Sequence, residues 1–399
     1  MRSPLQVALA LALGVGCSSE AAPTPAERAP AFRHQALFDR VASSADGFTV
    51  VEGDWLEDYG DAPFYGLAAS SRLVAGGRAE PWGGRAAAAR ARARTLIDSA
   101  DFVNGDVNEL AMSALGLIEH AAATGDLGDV EALEVFLKKL QTLAAALGHY
   151  LASVPVESWA FRTYGPTSIT ALVGLVALQH AHLVGGEHRE EHVEFAKALE
   201  AATVREAWTG AHFAFAPGEP RLDLYPNVAM TLLESRLYQL TGDPAYRDRA
   251  SQLHAAIQPL RLAESPAHYY TEYSAVEMGA KTRDYSTLSA HNYLMFSLLL
   301  LFESTGEPRF LEEADSVLDW VDRDLSGEWC LSHVHDEPCA PACTSAPVCV
   351  AGACAEERCG PGVLHHRIDG RVALPSDPEF FCSGCNLQLL YVLWYRQQL

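Results

Sequence analysis

Two kinds of segment alternate along this chain. One kind is apolar on every face. Its longest run is Tyr293-Leu294-Met295-Phe296-Ser297-Leu298-Leu299-Leu300-Leu301-Phe302, and segments of this kind begin near Pro63, Val107, Pro166, Pro226, Thr287 and Gly384. The other kind carries one apolar stripe on a charged background, near 28–42, 84–100, 130–152, 189–207, 244–258 and 309–324. A helix apolar all round is buried, and a helix with one apolar stripe covers it. Six of each predict six helical hairpins, with an inner ring of buried helices inside an outer ring. The expected fold is an all-α (α/α)6 toroid, closed where the N-terminal helix meets the last inner helix. The alternative is an open helical solenoid, but the hairpin spacing is longer and more variable than a roughly 34-residue repeat.

The turns repeat as well. Tyr238-Gln239-Leu240-Thr241-Gly242-Asp243-Pro244-Ala245-Tyr246 aligns with Phe302-Glu303-Ser304-Thr305-Gly306-Glu307-Pro308-Arg309-Phe310. Each reads as an apolar helix, Thr-Gly, acid-Pro, an aromatic residue and an amphipathic helix. Gly stops the first helix, the acid caps the second, and Pro occupies its first turn. Fainter copies stand at Ala123-Thr124-Gly125-Asp126 and Val184-Gly185-Gly186-Glu187. This hairpin rhythm resembles the six-hairpin glycosidase-like group over nearly all of residues 28–399. That group includes unsaturated glucuronyl hydrolases, several glycoside hydrolases, and the N-acylglucosamine and cellobiose 2-epimerases. The resemblance implies a carbohydrate or glycan ligand, with no cofactor and no resident metal expected.

The N-terminus adds a location. Arg2, then the apolar run Leu5–Gly16, then Cys17 and a Pro/Ala-rich stretch have the layout of a secretory signal. A Cys directly after the cut resembles the lipobox of bacterial lipoproteins, although Gly14 stands where Leu is usual. The expectation is a leader over 1–16, lipid-modified Cys17, a tether over 17–27 and a toroid domain over 28–399. The alternative is an ordinary signal peptide cut nearby. Either takes the chain out of the cytosol, and the lipid reading anchors it in the cell envelope, on the periplasmic face or the cell surface. The formal net charge of -22 repels nucleic acid and anionic headgroups. We expect a monomer with no nucleic-acid partner.

Location decides how the cysteines read. Eight remain besides Cys17: Cys330, Cys339, Cys343, Cys349, Cys354, Cys359, Cys382 and Cys385. An even cluster in an oxidising compartment reads as disulfides of open connectivity. Most lie in an insertion at about 326–381, expected to be a stapled flap near the mouth of the ring. Zinc on His333, His335, Cys382 and Cys385, or a redox Cys-x-x-Cys pair, are alternative readings.

Polar residues recur at the starts of the inner helices, where a toroid of this kind has its funnel. Tyr59, Asp61 and Tyr65 flank the first; Asp106, Asn108 and Glu109 open the second; Trp159, Arg162, Tyr164 and Thr167 precede the third. Tyr225 and Asn227 open the fourth, Asp284, Tyr285, His291 and Asn292 the fifth, and Asn386 and Gln388 the sixth. Rings stack on pyranose faces, and amides and carboxylates bond to hydroxyls. Capping and packing are the competing roles for each residue. Glycoside hydrolysis needs one or two carboxylates, one with a raised pKa. Glu109, among apolar neighbours, is the first candidate; Asp61, Asp284 and Glu272 follow. The Asp-Asp pair of some toroid mannanases is absent. A sugar 2-epimerase needs two facing bases, and His291 fits one; Asn386 stands where the second would be, with His365 and His366 in the preceding loop. A non-catalytic glycan-binding protein and a helical interaction scaffold are the remaining readings. The other helical histidines (His120, His149, His180, His182, His188, His192 and His254) are expected to be solvated or satisfied in the core, without metal-like partners.

Overall fold

The computed structural model describes residues 30–47, 62–78, 82–102, 106–152, 154, 158–264, 266–271, 285–330, 348–350, 353–355, 359–368, 371–372, 374 and 382–399. Twelve α-helices lie among them. The outer ones are α1 (Gln35–Gly47), α3 (Trp82–Asp98), α5 (Val130–Ala146), α7 (Gly186–Ala207), α9 (Pro244–Ala256) and α11 (Pro308–Trp320). The inner ones are α2 (Ala62–Ala75), α4 (Val107–Thr124), α6 (Ser158–Val184), α8 (Leu224–Thr241), α10 (Leu288–Thr305) and α12 (Ser383–Gln398). Each inner helix packs on the next, and α12 packs back on α2. The ring is therefore closed, which excludes an open solenoid. The first helix, α1, lies against α12, as the closure expectation requires.

Burial follows the two-class pattern. In α10, Leu294, Leu298, Leu300 and Leu301 are fully buried, and in α6 Val173, Val176, Ala177 and Leu178 are too. One stretch of α6, Gly165–Val184, is long and apolar enough to cross a membrane, but 83% of its apolar window is enclosed by the ring.

Three turns show why Thr-Gly-acid repeats. Gly125, Gly242 and Gly306 adopt positive φ of 74°, 73° and 72°, the left-handed cap that Gly reaches without a Cβ clash. The preceding threonines act alike. Thr124, Thr241 and Thr305 donate to the carbonyls of His120, Leu237 and Leu301. Each also accepts from the backbone N–H two residues on, at 3.2 Å. Pro244 and Pro308 then occupy the first turns of α9 and α11.

The third inner helix has an extra segment ahead of its expected start near Pro166. It begins at Ser158 and is broken at Gly165, with φ 68° and ψ 164°, so the buried rod starts at Pro166. A Cβ on Gly165 would lie 2.8 Å from both the ring and the carbonyl of Phe215.

Short strands cap one end. β1 (Ala214–Ala216) pairs with β2 (Glu219–Leu222), and β3 (Arg261–Glu264) with β4 (Ala267–Tyr269), both antiparallel. The Cys-rich region contributes β6 (Ser326–Cys330) against β9 (Cys359–Val363), with β10 (His366–Ile368) between β5 (Tyr285–Thr287) and β11 (Arg371–Val372). β7 (Val348–Val350) and β8 (Ala353–Ala355) form a separate hairpin, with Cys349 and Cys354 opposite one another. Disulfides join Cys330 to Cys359 and Cys382 to Cys385; Cys339 and Cys343 lie outside the described residues. Burial also helps hold this region. Trp329 is buried and its indole N–H donates to Ser44 on α1 at 2.9 Å.

Candidate functional site

The shaft of the ring is closed partway down by Tyr293. Its hydroxyl lies 2.6 Å from that of Tyr65 on α2 and 3.9 Å from the Met112 sulfur on α4. Its ring stands 6.0 Å from Tyr225 on α8. Because α4 faces α10 across a ring of six, Tyr293 spans the axis. A cavity of about 40 Å³ is lined by Tyr65, Met112, Leu172, Leu232, Tyr293 and Tyr391, among others. At roughly 10–15 Å³ per water it holds about three waters and no sugar ring. At the C-terminal end Arg72 pairs with Glu119 at 2.5 Å and lies over the Trp394 ring at 4.8 Å, while Tyr395 donates to Glu303 at 2.7 Å. The other end of the shaft, on the Tyr293 side, is formed by the N-terminal starts of the inner helices.

Helix periodicity identifies what surrounds that end. On α4 the cavity-lining residues Met112, Leu115 and Glu119 continue one turn back to Asn108. On α6, Leu172, Leu175 and Gln179 continue back to Ser168. Both Asn108 and Ser168 are buried, and Asn108 Oδ1 and Ser168 Oγ have no hydrogen-bond partner among the described residues. Tyr225 on α8 meets Ser289 on α10 at 2.5 Å. On α12, Gln388 accepts from Asn292 at 3.2 Å, and Asn292 also donates to the Cys385 carbonyl at 2.8 Å. Asn292 Oδ1 is buried without a partner among the described residues. Ser168, Ser289, Met112 and Tyr293 were not singled out from sequence. Stepping three and four residues back along each apolar helix from its middle finds them.

Glu109 opens α4 half-buried, with its backbone N–H accepted by the cap residue Asp106 at 3.1 Å. It stands one residue past the stripe that Asn108 continues. Tyr59, Asp61, Glu272 and Asp284 lie outside the described residues. Trp159, Arg162 and Tyr164 fall on the first turns of α6, where side chains are outside the description.

Three of the expected ligand residues instead join hairpins together. Asn227 accepts from the Phe213 N–H at 2.9 Å and donates to the carbonyls of Phe213 and Asp223 at 3.1 and 2.8 Å. Asn386 accepts from the Val363 N–H and donates to the carbonyls of Val363 and Cys382. His291 accepts from the Tyr269 N–H at 2.9 Å and donates to the Thr287 carbonyl at 2.7 Å. On α6, Thr170 accepts from the Leu151 N–H and donates to the Pro166 carbonyl. Each of the four donates to the carbonyl four residues earlier, at the start of its buried helical rod. Each bonds back to that start and across to the backbone of the preceding connection. Their recurrence reflects a repeated joint. His291 is wholly buried, and burial pushes its pKa down to about 3, so it is a neutral ring with both nitrogens committed to backbone. His365 and His366 do reach the starts of α10 and α12. His365 Nδ1 lies 3.5 Å from the Cys385 sulfur, and His366 is buried on β10 beside Thr287.

No family model matches the chain, and no curated protein matches it by sequence. Solved structures do. A cellobiose 2-epimerase from Spirochaeta thermophila superposes with a TM-score of 0.62 at 12% identity, covering 91% of this chain and 94% of its own. A GH76 α-mannanase from Bacteroides thetaiotaomicron gives 0.60 at 11% identity, covering 92% and 95%. An unsaturated glucuronyl hydrolase specific for heparin gives 0.56 at 12% identity, covering 91% and 95%. At such identities the likeness establishes the fold: this chain is a six-hairpin (α/α)6 toroid.

Proposed function

We propose that this protein binds a glycan at the N-terminal mouth of its inner ring and hydrolyses a glycosidic bond there, with Glu109 as acid or base. One observation carries the reading. A buried polar rim with two orphaned oxygens, Asn108 Oδ1 and Ser168 Oγ, surrounds an aromatic floor, Tyr293 with Tyr65 and Tyr225. Leaving buried acceptors unpaired costs about 1–3 kcal/mol each, and sugar hydroxyls supply the missing donors. The tyrosine rings offer faces to stack on. The matched structures are named as enzymes acting on carbohydrates, and this supports the same substrate class here. Epimerisation is the weaker reading, because His291 has no nitrogen to spare for a proton transfer.

The envelope location belongs to the same proposal. It rests on the leader pattern and Cys17, which lie outside the described residues, and is supported by two disulfides that suit an oxidising compartment.

The test is an oligosaccharide binding and turnover screen on the chain, with Glu109→Gln alongside. Cleavage by the parent, with binding but no cleavage by the variant, supports the hydrolase. Binding without turnover in either replaces it with a glycan-binding role. No binding to any glycan removes the carbohydrate reading altogether.

A further inference from the structure

In the sequence His180, His188 and His192 are separate, ordinary helical histidines. The structure gathers them around one carboxylate. Glu134 projects from α5, His180 from the end of α6, and His188 and His192 from α7. The last two are four residues apart and share a helix face. His192 Nε2 lies 2.9 Å from Glu134 Oε2, His188 Nδ1 3.2 Å from Oε1, and His180 Nδ1 3.9 Å from Oε2. Donor atoms of Glu134, His180 and His192 all fall within 4.8 Å of one another. The rings of His180 and His192 stand edge to face at 4.9 Å.

His180 is the telling residue. It is fully buried, yet neither ring nitrogen makes a hydrogen bond of good geometry, although the Val130 carbonyl is close by. Nδ1 faces a carboxylate it does not reach. Burial, and then His192, push the His180 pKa down to about 4, so the ring is neutral at pH 7 with a lone pair on one nitrogen. Burial works against ionisation of Glu134, but the His192 hydrogen bond and the nearby histidines hold it below the usual carboxylate range.

We propose that Glu134, His180 and His192, completed by His188 from the solvent side, bind one divalent cation of the Zn²⁺ class. Bonds of about 2.0–2.2 Å in a tetrahedron put ligand atoms about 3.4 Å apart. The 2.9 and 3.9 Å from His192 and His180 to Oε2 bracket that edge, while His188 meets the other oxygen, Oε1, at 3.2 Å and must turn inward to join them. Three imidazoles with one carboxylate favour Zn²⁺, Co²⁺, Ni²⁺ or Cu²⁺ over Ca²⁺ or Mg²⁺, which take oxygen shells. The second shell is present. Gln141 lies 3.2 Å from His192 Nδ1, and its amide can turn to accept the N–H that a metal-bound imidazole presents there. Lys138 also approaches Glu134 Oε1, at 3.5 Å, but it is exposed and can swing to solvent. The site clamps α5, α6 and α7 near the C-terminal end of α6, away from the glycan mouth. Its role is to hold consecutive hairpins together.

The experiment is calorimetric titration of the untagged chain with ZnCl₂, with elemental analysis after desalting and a thermal melt with and without metal. His188→Ala and His192→Gln are compared with the parent. Expected are one Zn²⁺ per chain, a melt raised by Zn²⁺, and little response to MgCl₂. His188 is more than half exposed, so His188→Ala should melt like the metal-free parent while binding Zn²⁺ at least tenfold more weakly. His192→Gln should lose the site. Substoichiometric zinc in the parent, or equal affinity in the parent and both variants, overturns the proposal; the second result would place the metal elsewhere.

Discussion

Replacing Asn227 with Ala separates a structural joint from a ligand contact. The side chain makes two hydrogen bonds to the backbone of Phe213, just before β1, and a third to the Asp223 carbonyl at the foot of α8. A buried hydrogen bond contributes about 0.5–1.5 kcal/mol net, and an abandoned buried donor costs about 1–3 kcal/mol. Phe213 is wholly buried, so its N–H would lose its partner away from water. The expected loss is about 3 kcal/mol. At roughly 2 °C per kcal/mol, the low end for a large domain, the melting temperature falls by about 6 °C. Urea unfolding with an unchanged m-value would give the free energy directly. Asn108→Ala is the counterpart: it removes an orphaned acceptor, so it should cost little stability and weaken glycan binding. If Asn227→Ala melts within about 1 °C of the parent and loses glycan binding, the joint reading is wrong and Asn227 faces the ligand.

Gly165→Ala should destabilise by more than about 2 kcal/mol, because it forces a positive φ on a residue with a Cβ and drives that Cβ into Phe215; chemical denaturation measures it. Arg249 bridges Glu200 and the fully buried Glu234, so Arg249→Met should cost about 3–5 kcal/mol at pH 7. Burial raises the Glu234 pKa, the folded variant then binds the extra proton, and its stability should rise as pH falls from 7 to 5, read as a denaturation midpoint at each pH. His291 has the opposite sign. Its folded pKa, about 3, lies below the unfolded value near 6.5, so its contribution is intact above pH 6.5 and is lost as pH falls towards 3. Stability should drop by about 1.4 kcal/mol per pH unit from this group, and a His291→Gln variant should lack that slope.

The six-and-six helix pattern was readable because burial of an all-apolar helix leaves a mark along its whole length. The hairpin turns were readable because Thr, Gly, acid and Pro each act on backbone atoms within four residues. The candidate site was far less legible. Tyr65, Asn108 and Tyr225 were named and do surround the shaft, but Tyr293, which closes it, was hidden inside the longest apolar run. Asn227, His291 and Asn386 carry the residue types of a sugar site at the right end of the right helices, yet they hold backbone.

Sequence by itself determined which segments are inner and outer helices, where most of them begin, and that twelve of them make a toroid. Those facts depend on local propensity and on the average polarity of a face. Only the tertiary structure decided where each polar atom at a helix start is aimed. One residue turns a helical side chain by about 100°, so neighbours such as Asn108 and Glu109 differ in surroundings while looking alike in sequence. The same limit hid the cluster on Glu134. Residues 134 and 192 lie two helices apart along the chain, and only the antiparallel return of α6 and α7 brings them within 2.9 Å.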